Sequence, residues 1–306
     1  MNNKIIVVGS LNMDLVVKAS RHPMPGETLL GSDFATYHGG KGANQAVAAA
    51  KLSDHGSVIM IGCVGKDSFG QNLIQGVESV GVDSQFIRTD STSASGIALI
   101  TLDSNGQNTI VVAPGANSKL TPDDVLSSEV AFKDAGVLLM QLETPIETII
   151  AAVNLAKKHG VQCILNPAPA IALPLSLLQQ IDVLIPNQTE LALLSNSNDV
   201  MKGIETLLTS GVKNIVVTLG SDGAILANSE EVFKIAAHQV KVVDSVAAGD
   251  AFAGAFAVAL SEGKSIFEAA IWGNAAGAIA VTRQGAQPSL PSKEEIQELI
   301  KNQSKE

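Results

Sequence analysis

The chain has 306 residues, 46% of them hydrophobic and 16% charged, enough to bury a large core and too apolar for a disordered or low-complexity protein. Thirty acidic against twenty basic residues give a net charge of −10, which opposes a nucleic-acid partner because such binding rests on neutralised phosphates. The two cysteines, Cys63 and Cys163, suggest no structural disulfide and a reducing compartment.

Residues 4–8 form a short apolar run closed by Gly9, the pattern of a central strand buried on both faces. The chain enters this strand without the cationic and apolar regions of a secretory leader, and no apolar run reaches spanning length. A cytoplasmic protein with no membrane partner is therefore expected. Residues 15–38 alternate and are broken by Pro23, Pro25 and Gly26, which reads as a hairpin. Gly39-Gly40-Lys41-Gly42-Ala43-Asn44-Gln45 then leads into alanine-rich residues that favour a helix to about residue 52, with the paired glycines as its hinge. A strand at 58–61 and a helix at 69–80 follow. Residues 98–102 and 109–112 flank Asp103-Ser104-Asn105-Gly106 as a second hairpin, and the two hairpins are expected to share one small sheet. Beyond them come strand 137–140, helix 145–159, strands 162–165, 181–185 and 214–218, and helices 249–261 and 266–282, both rich in Ala and Gly. This alternation predicts an α/β fold, a doubly wound, mostly parallel sheet flanked by helices. The hairpins at about 13–38 and 96–113 form a discontinuous β-sheet lid within a single domain of 306 residues.

In such sheets ligands bind beyond the carboxyl ends of the strands, and polar candidates gather there. Asn12 and Asp14 follow the first strand, Glu143 follows Met140, Asn187 follows Ile185 and Gly220 follows Thr218. Asp244-Ser245-Val246-Ala247-Ala248-Gly249-Asp250 opens a helix with bare backbone N–H groups, which attract anions such as phosphate oxygens. Asp250 itself also reads as an ordinary helix cap. Gly62-Cys63-Val64-Gly65-Lys66-Asp67-Ser68 lacks the glycine spacing of a P-loop, and no dinucleotide fingerprint, nucleophile elbow or zinc spacing is found.

The glycine motif at 39–50 and the segment 244–250 resemble, in order and separation, the two signature motifs of the ribokinase-like (PfkB) carbohydrate kinases. Seven further blocks extend the resemblance along the chain: Gly9-Ser10-Leu11-Asn12-Met13-Asp14, Pro25-Gly26-Glu27-Thr28, Met140-Gln141-Leu142-Glu143, Asn166-Pro167-Ala168-Pro169-Ala170, Pro186-Asn187-Gln188-Thr189-Glu190, Thr218-Leu219-Gly220, and Ala280-Val281-Thr282-Arg283-Gln284-Gly285-Ala286-Gln287-Pro288-Ser289.

The resemblance implies phosphoryl transfer from MgATP to the 5-hydroxyl of D-ribose. Deoxyribokinase or another sugar or nucleoside kinase of the family is the nearest alternative, and a non-catalytic sugar-binding regulator is the alternative of a different class. It makes Asp250 the catalytic base and the N–H groups of Ala247, Ala248 and Gly249 the anion hole. Asn12, Met13, Asp14, Gly40, Lys41, Gly42, Ala43, Asn44 and Glu143 join Asp250 as the sugar-binding set, since amides and carboxylates suit adjacent hydroxyls. Turn chemistry for Asn12 and Asp14, and capping for Asn44, compete with that reading. Asn187, Thr218, Leu219, Gly220, Ser221, Asp222, Gly223 and Asn274 correspond, with Gly249 and Asp250, to the ATP site; Asn274 reads equally as a satisfied buried amide. Glu190 would organise Mg²⁺ through water or complete an Asn187 cap, and the two roles are compatible. Asp244, the carbonyls of Val246, Ala280, Arg283 and Gly285, and the Ser289 hydroxyl correspond to a K⁺ site. Ser245 and Val246 stand where many relatives have two threonines, which leaves the Val246 carbonyl available. A homodimer through the lid sheet is expected, because an apolar outer face would otherwise be exposed.

Overall fold

A computed structural model describes residues 4–303. In chain order its strands are β1 (Lys4–Val8), β2 (Asn12–Lys18), β3 (Asp33–Gly39), β4 (Val58–Gly65), β5 (Asp83–Asp90), β6 (Gly96–Leu102), β7 (Asn108–Ala113), β8 (Ala135–Met140), β9 (Gln162–Leu165), β10 (Val183–Leu184), β11 (Asn214–Thr218), β12 (Ala224–Asn228) and β13 (Val232–Ile235). Nine of them form one sheet in the order β13-β12-β11-β10-β9-β8-β1-β4-β5, and four form a second in the order β3-β2-β6-β7.

The central sheet is parallel from β5 across to β11, and its antiparallel pairings are those of β12 with β11 and with β13. Period-two alternation sends Ile5 and Val7 of β1 to one hydrophobic core, and Ile6 and Val8 to another on the opposite face. Helices cover both cores, so the sheet is doubly wound as expected. β10 pairs over two residues only, because Pro186 follows closely and a proline cannot donate to the ladder. Three strands lack a counterpart in the sequence reading. β5 is a partly exposed edge whose burial barely alternates, β12 is a continuously apolar run that fits a helix as well, and β13 lies mostly exposed at the other edge.

The small sheet joins the two expected hairpins by a parallel seam between β2 and β6. Register sets Asn12 beside Gly39 and Gly96, and Asp14 beside Tyr37 and Ala98, so both polar residues lie on one face. They sit within β2 rather than in a turn leaving β1, which removes the turn-chemistry explanation. Met13 alternates to the other face, where its side chain joins the core.

Small side chains set the distance between the helices that matter most. A Cβ on Gly254 would lie 2.5 Å from Ala48 Cβ and 2.9 Å from the Gln45 carbonyl, so the helices Ala248–Ser261 and Lys41–Leu52 approach more closely than larger residues allow. Asp250 lies one turn before Gly254, and Asn44 and Gln45 lie one turn before Ala48 and Ala49. The Ala/Gly composition of both helices thereby brings a carboxylate against two amides.

Candidate active site

Asp250 is 7% exposed and occupies the third position of the helix Ala248–Ser261. Its carboxylate does not cap that helix. Oδ2 accepts from Asn44 Nδ2 at 3.0 Å and Oδ1 from Gln45 Nε2 at 2.9 Å, both from the helix Lys41–Leu52. Burial raises the Asp250 pKa, the Lys41 ammonium and the two amides oppose that rise, and Glu143 adds to it.

With the carboxylate turned away, the helix start is left without a side-chain cap. Asp67, Thr121, Asn187, Asp199 and Ser265 each cap a helix of their own. In that position this helix has Ala247, at φ 60°, a left-handed conformation that disfavours any residue with a Cβ. Among the described residues only Asn196 shares it without being glycine, and Asn tolerates it better. A Cβ on Gly249 would meet nothing within 4 Å, so the space beside its Cα is open, while the Ala248 N–H donates to the Ser245 carbonyl at 3.4 Å. The helix start beside the buried carboxylate is thus both left-handed and without a side-chain cap.

The sugar-side candidates converge on the same place. Glu143, just beyond β8, accepts from Ser10 Oγ and from the Lys41 N–H at 3.2 Å. A Cβ on Gly39 would fall 2.3 Å from the Asp14 carboxylate, and one on Gly40 2.7 Å from the Asn12 N, so close approach by itself requires both glycines. Gly40 also has φ 88°, the favoured glycine region. Gly42 lies against the backbone of Gly9 and Ser10. Burial foremost, then Glu143 and Asp250, push the Asp14 pKa up to about 7. Burial alone would lower the Lys41 pKa, but Asp250, Glu143 and Glu190 raise it overall. Three carboxyl groups therefore act on one ammonium.

Asn12 is 3% exposed, and its Oδ1 accepts from Asn117 Nδ2 at 2.8 Å. Asn117 also grips the Leu11 backbone, donating to its carbonyl at 3.0 Å and accepting from its N–H at 2.9 Å. Its amide orientation is thus fixed, and the Asn12 Nδ2 is left as the free donor. Asn44 is held by Asp250 instead of capping; Gly40 occupies the cap position of its helix. Ala43 packs in the core.

On the nucleotide side, Asn187 follows β10 and bridges to Thr218 at the end of β11. Asn187 and Glu190 form a complete capping box. Asn187 Oδ1 accepts from the Glu190 N–H at 2.8 Å, and Glu190 Oε2 accepts from the Asn187 N–H at 2.8 Å. Burial raises the Glu190 pKa, with the Asn187 N–H and Lys41 opposing and Asp250 reinforcing, which ties this group electrostatically to Lys41 and Asp250. Residues 218–223 turn tightly over Gly220 and Gly223; at Gly223 a Cβ would lie 2.0 Å from the Ile235 carbonyl. Asn274 donates to the Ala236 carbonyl at 2.8 Å, a satisfied buried amide.

Asp244 ties two loops together. Its Oδ1 accepts from the Val246 N–H at 3.0 Å and its Oδ2 from the Gly285 N–H at 2.9 Å. The Ala280 carbonyl accepts from the Arg283 N–H, the Arg283 side chain pairs with Glu295, and Ser289 Oγ donates to the Ala286 carbonyl at 2.7 Å.

The pfkB family carbohydrate kinase model matches residues 2–293. The chain belongs to this family. A ribokinase of Haemophilus influenzae is 39% identical to it, over 99% of this chain and 100% of that protein. A deoxyribokinase of Salmonella typhimurium is 36% identical, over 97% of this chain and 98% of that one. The structure of Arabidopsis thaliana ribokinase complexed with ribose and ATP superimposes with a TM-score of 0.89 at 34% identity, covering 97% of this chain and 98% of that one. This pfkB family member therefore has the ribokinase fold, with the four-stranded sheet in the place of the lid. Among the described residues no helix is long and apolar enough to cross a membrane.

Five site neighbours were given no role of their own in the sequence reading, although all but Asn117 lie within its motifs: Ser10, Gln45, Asn117, Gln141 and Asn166. Each is a neutral polar residue, at most 9% exposed. Their signal lies in that burial, which demands hydrogen-bond partners and is invisible in a linear sequence.

Proposed function

We propose that this protein transfers the terminal phosphoryl group of ATP to the 5-hydroxyl of D-ribose, giving ribose 5-phosphate and ADP. The observation that carries the reading is the buried Asp250 carboxylate beside the uncapped helix start at Ala247. Phosphoryl transfer needs a proton acceptor next to donors for the charge on the transferring group, and these two features supply both.

Asp250 accepts the hydroxyl proton as the oxygen–phosphorus bond forms, and the N–H groups of Ala247, Ala248 and Gly249 receive the negative charge on the phosphoryl oxygens. Asn12, Asp14, Lys41, Asn44 and Glu143 hold the sugar; Gly40 and Gly42 allow the backbone to come close, and Met13 and Ala43 contribute backbone alone. The Asn12 N–H₂ and the Asp14 carboxylate are a donor and an acceptor on one lid face, suited to adjacent ring hydroxyls. Asn187, residues 218–223 and Asn274 line the nucleotide side.

Glu190 and Asn187 fit Mg²⁺ carried on ATP. The Glu190 oxygens each accept one bond from Asn187, which leaves lone pairs for metal-bound water. When bound, Mg²⁺ neutralises the phosphates in a pocket that is otherwise rich in carboxylates. Asp244, the carbonyls of Val246, Ala280, Arg283 and Gly285, and Ser289 would hold K⁺ and order the loop leading to Ala247. Equal rates in KCl and NaCl at matched ionic strength would remove that site. Phe34, Leu99 and Val111, on one face of the lid by register, leave apolar surface that suits a dimer through that sheet, and we place the enzyme in the cytoplasm; a monomer in sedimentation at micromolar concentration would contradict the dimer.

The test is ATP consumption with ribose, 2-deoxyribose, fructose and adenosine at equal concentration, with the product identified. Ribose is expected to give the highest kcat/KM and ribose 5-phosphate. No consumption with any of them would support the regulator, and a preference for 2-deoxyribose would support deoxyribokinase.

A further inference from the structure

Behind Asp250 lies a chain of buried amides whose polarity is set from one end. The Ile185 carbonyl can only accept, so Asn166 turns its Nδ2 to it, at 2.8 Å, and presents Oδ1 in the other direction. Gln45 must then offer its N–H₂. One hydrogen goes to Asn166 Oδ1 at 3.0 Å and the other to Asp250 Oδ1 at 2.9 Å. Gln141 Nε2 secures the arrangement by donating to Gln45 Oε1 at 2.6 Å, although this leaves Gln141 Oε1 buried without a partner. Gln45 and Gln141 are both 0% exposed, so no water shares these bonds from the surface.

We propose that Gln45 is the positioning residue for the base: anchored through Asn166 on the Ile185 carbonyl, it holds Asp250 Oδ1 with an obligate N–H donor and leaves Oδ2, on the Asn44 side, to meet the sugar hydroxyl. The proposal rests on the reading of Asp250 as base. It gives the relay a catalytic consequence, because a donor that is fixed by its own partners favours the ionised carboxylate and sets its orientation. An amide free to rotate could present its carbonyl and repel that carboxylate. The charged groups facing Asp250 are Lys41 from the helix Lys41–Leu52, which also carries Gln45, Glu143 beyond β8, Asp14 from β2 and Glu190 from the helix Gln188–Ser195. None of them touches Gln45 in the hydrogen-bond network, so a change at Gln45 leaves their chemistry in place.

Two variants test this, Gln45→Met, which keeps volume and removes the donor, and Gln45→Glu, which keeps shape and replaces the donor by a carboxyl. With saturating MgATP and ribose, kcat of each should fall by about 10- to 100-fold at pH 7, within the range of a perturbed general base. Ribose KM should change by less than about threefold, the mark of an interaction that acts in the transition state. The acid limb of the kcat profile should move up by about one pH unit, because loss of a donor to the charged form favours protonation. A parental acid limb overturns the proposal, even with a lower kcat. If Gln45→Met does not fold, as judged by its melting curve, Gln45→Leu, which also lacks the donor and adds no charge, decides in its place. Asp250→Asn, run beside them, separates the two ideas. Near-parental turnover in that variant sinks the base itself, whereas an inactive Asp250→Asn together with unshifted Gln45 profiles sinks only the relay.

Discussion

Two helix starts flank this pocket, and they solve the same problem in opposite ways. At Asn187 a complete capping box satisfies the backbone: side chain and N–H exchange bonds with Glu190, and the carboxylate stays with its own helix. At Ala247 no side chain caps the helix, the backbone is left-handed, and the carboxylate three residues on is drawn away to Asn44 and Gln45. Each helix leaves N–H groups without intrahelical partners, and leaving them uncapped costs stability. The contrast teaches that an acidic residue near a helix start is a cap only if its carboxylate turns back. Where it turns away, the carboxylate is released to other partners and the helix start is left without a side-chain cap.

The comparison is tested most severely by Asp250→Asn, which keeps shape but cannot accept a proton. Turnover should drop by about 10²- to 10⁴-fold with ribose binding retained, read by steady-state kinetics and calorimetry. Gly249→Ala comes next. Its Cβ enters open space in the free chain, so the melting temperature should hold, while a phosphoryl oxygen would meet the methyl and kcat should fall by about 10²-fold. A lower melting temperature with unchanged kcat would make Gly249 structural instead.

Asp14 separates binding from stability. Its carboxyl titrates at about 7, against 3.8 for the ordinary group, so the folded state holds a proton that the unfolded chain releases between these values. Stability contributed by this group therefore falls as pH rises through that window. Asp14→Asn should melt a few degrees higher than the parent at pH 8, a shift that corresponds to about 1 kcal/mol in a chain of this size. The parent's ribose KM should rise below about pH 7 as Asp14 protonates, and the variant's should stay flat and high. The smallest effect is expected from Asn187→Ala, where loss of the capping box should cost about 1 kcal/mol in denaturant unfolding. Its loss of kcat should be smaller than that of Gly249→Ala; the reverse order would break the comparison.

Much of this was legible in the sequence, for identifiable reasons. The run from Gly39 and the loop from Asp244 are continuous motifs, and their glycines and alanines encode both the helices and the close contact at Gly254. Glu143, Asn187 and Gly220 follow β8, β10 and β11, as the strand pattern had them. The orientation of Asp250 was not legible, because cap and base share residue type and position and differ only in where the side chain turns. The amides were hidden for a related reason. Gln45 meets Asn166 across 121 residues and Asp250 across 205, and Asn117 meets Leu11 across 106, so no local pattern links them. β5, β12 and β13 were missed because edge exposure and a continuously apolar run blur the period that identifies a strand.

The central claim is that the helix start at Ala247, and not an ordinary capped one, receives the transferring phosphoryl group. Backbone amide NMR of the full chain with ribose, MgADP and aluminium fluoride, a planar mimic of that group, tests it directly. The amide protons of Ala248 and Gly249 should move downfield as they take up the anion, while the Glu268 amide, already satisfied by the Ser265 cap, should not move. Unmoved Ala248 and Gly249 signals in the ligand-saturated protein would contradict the claim.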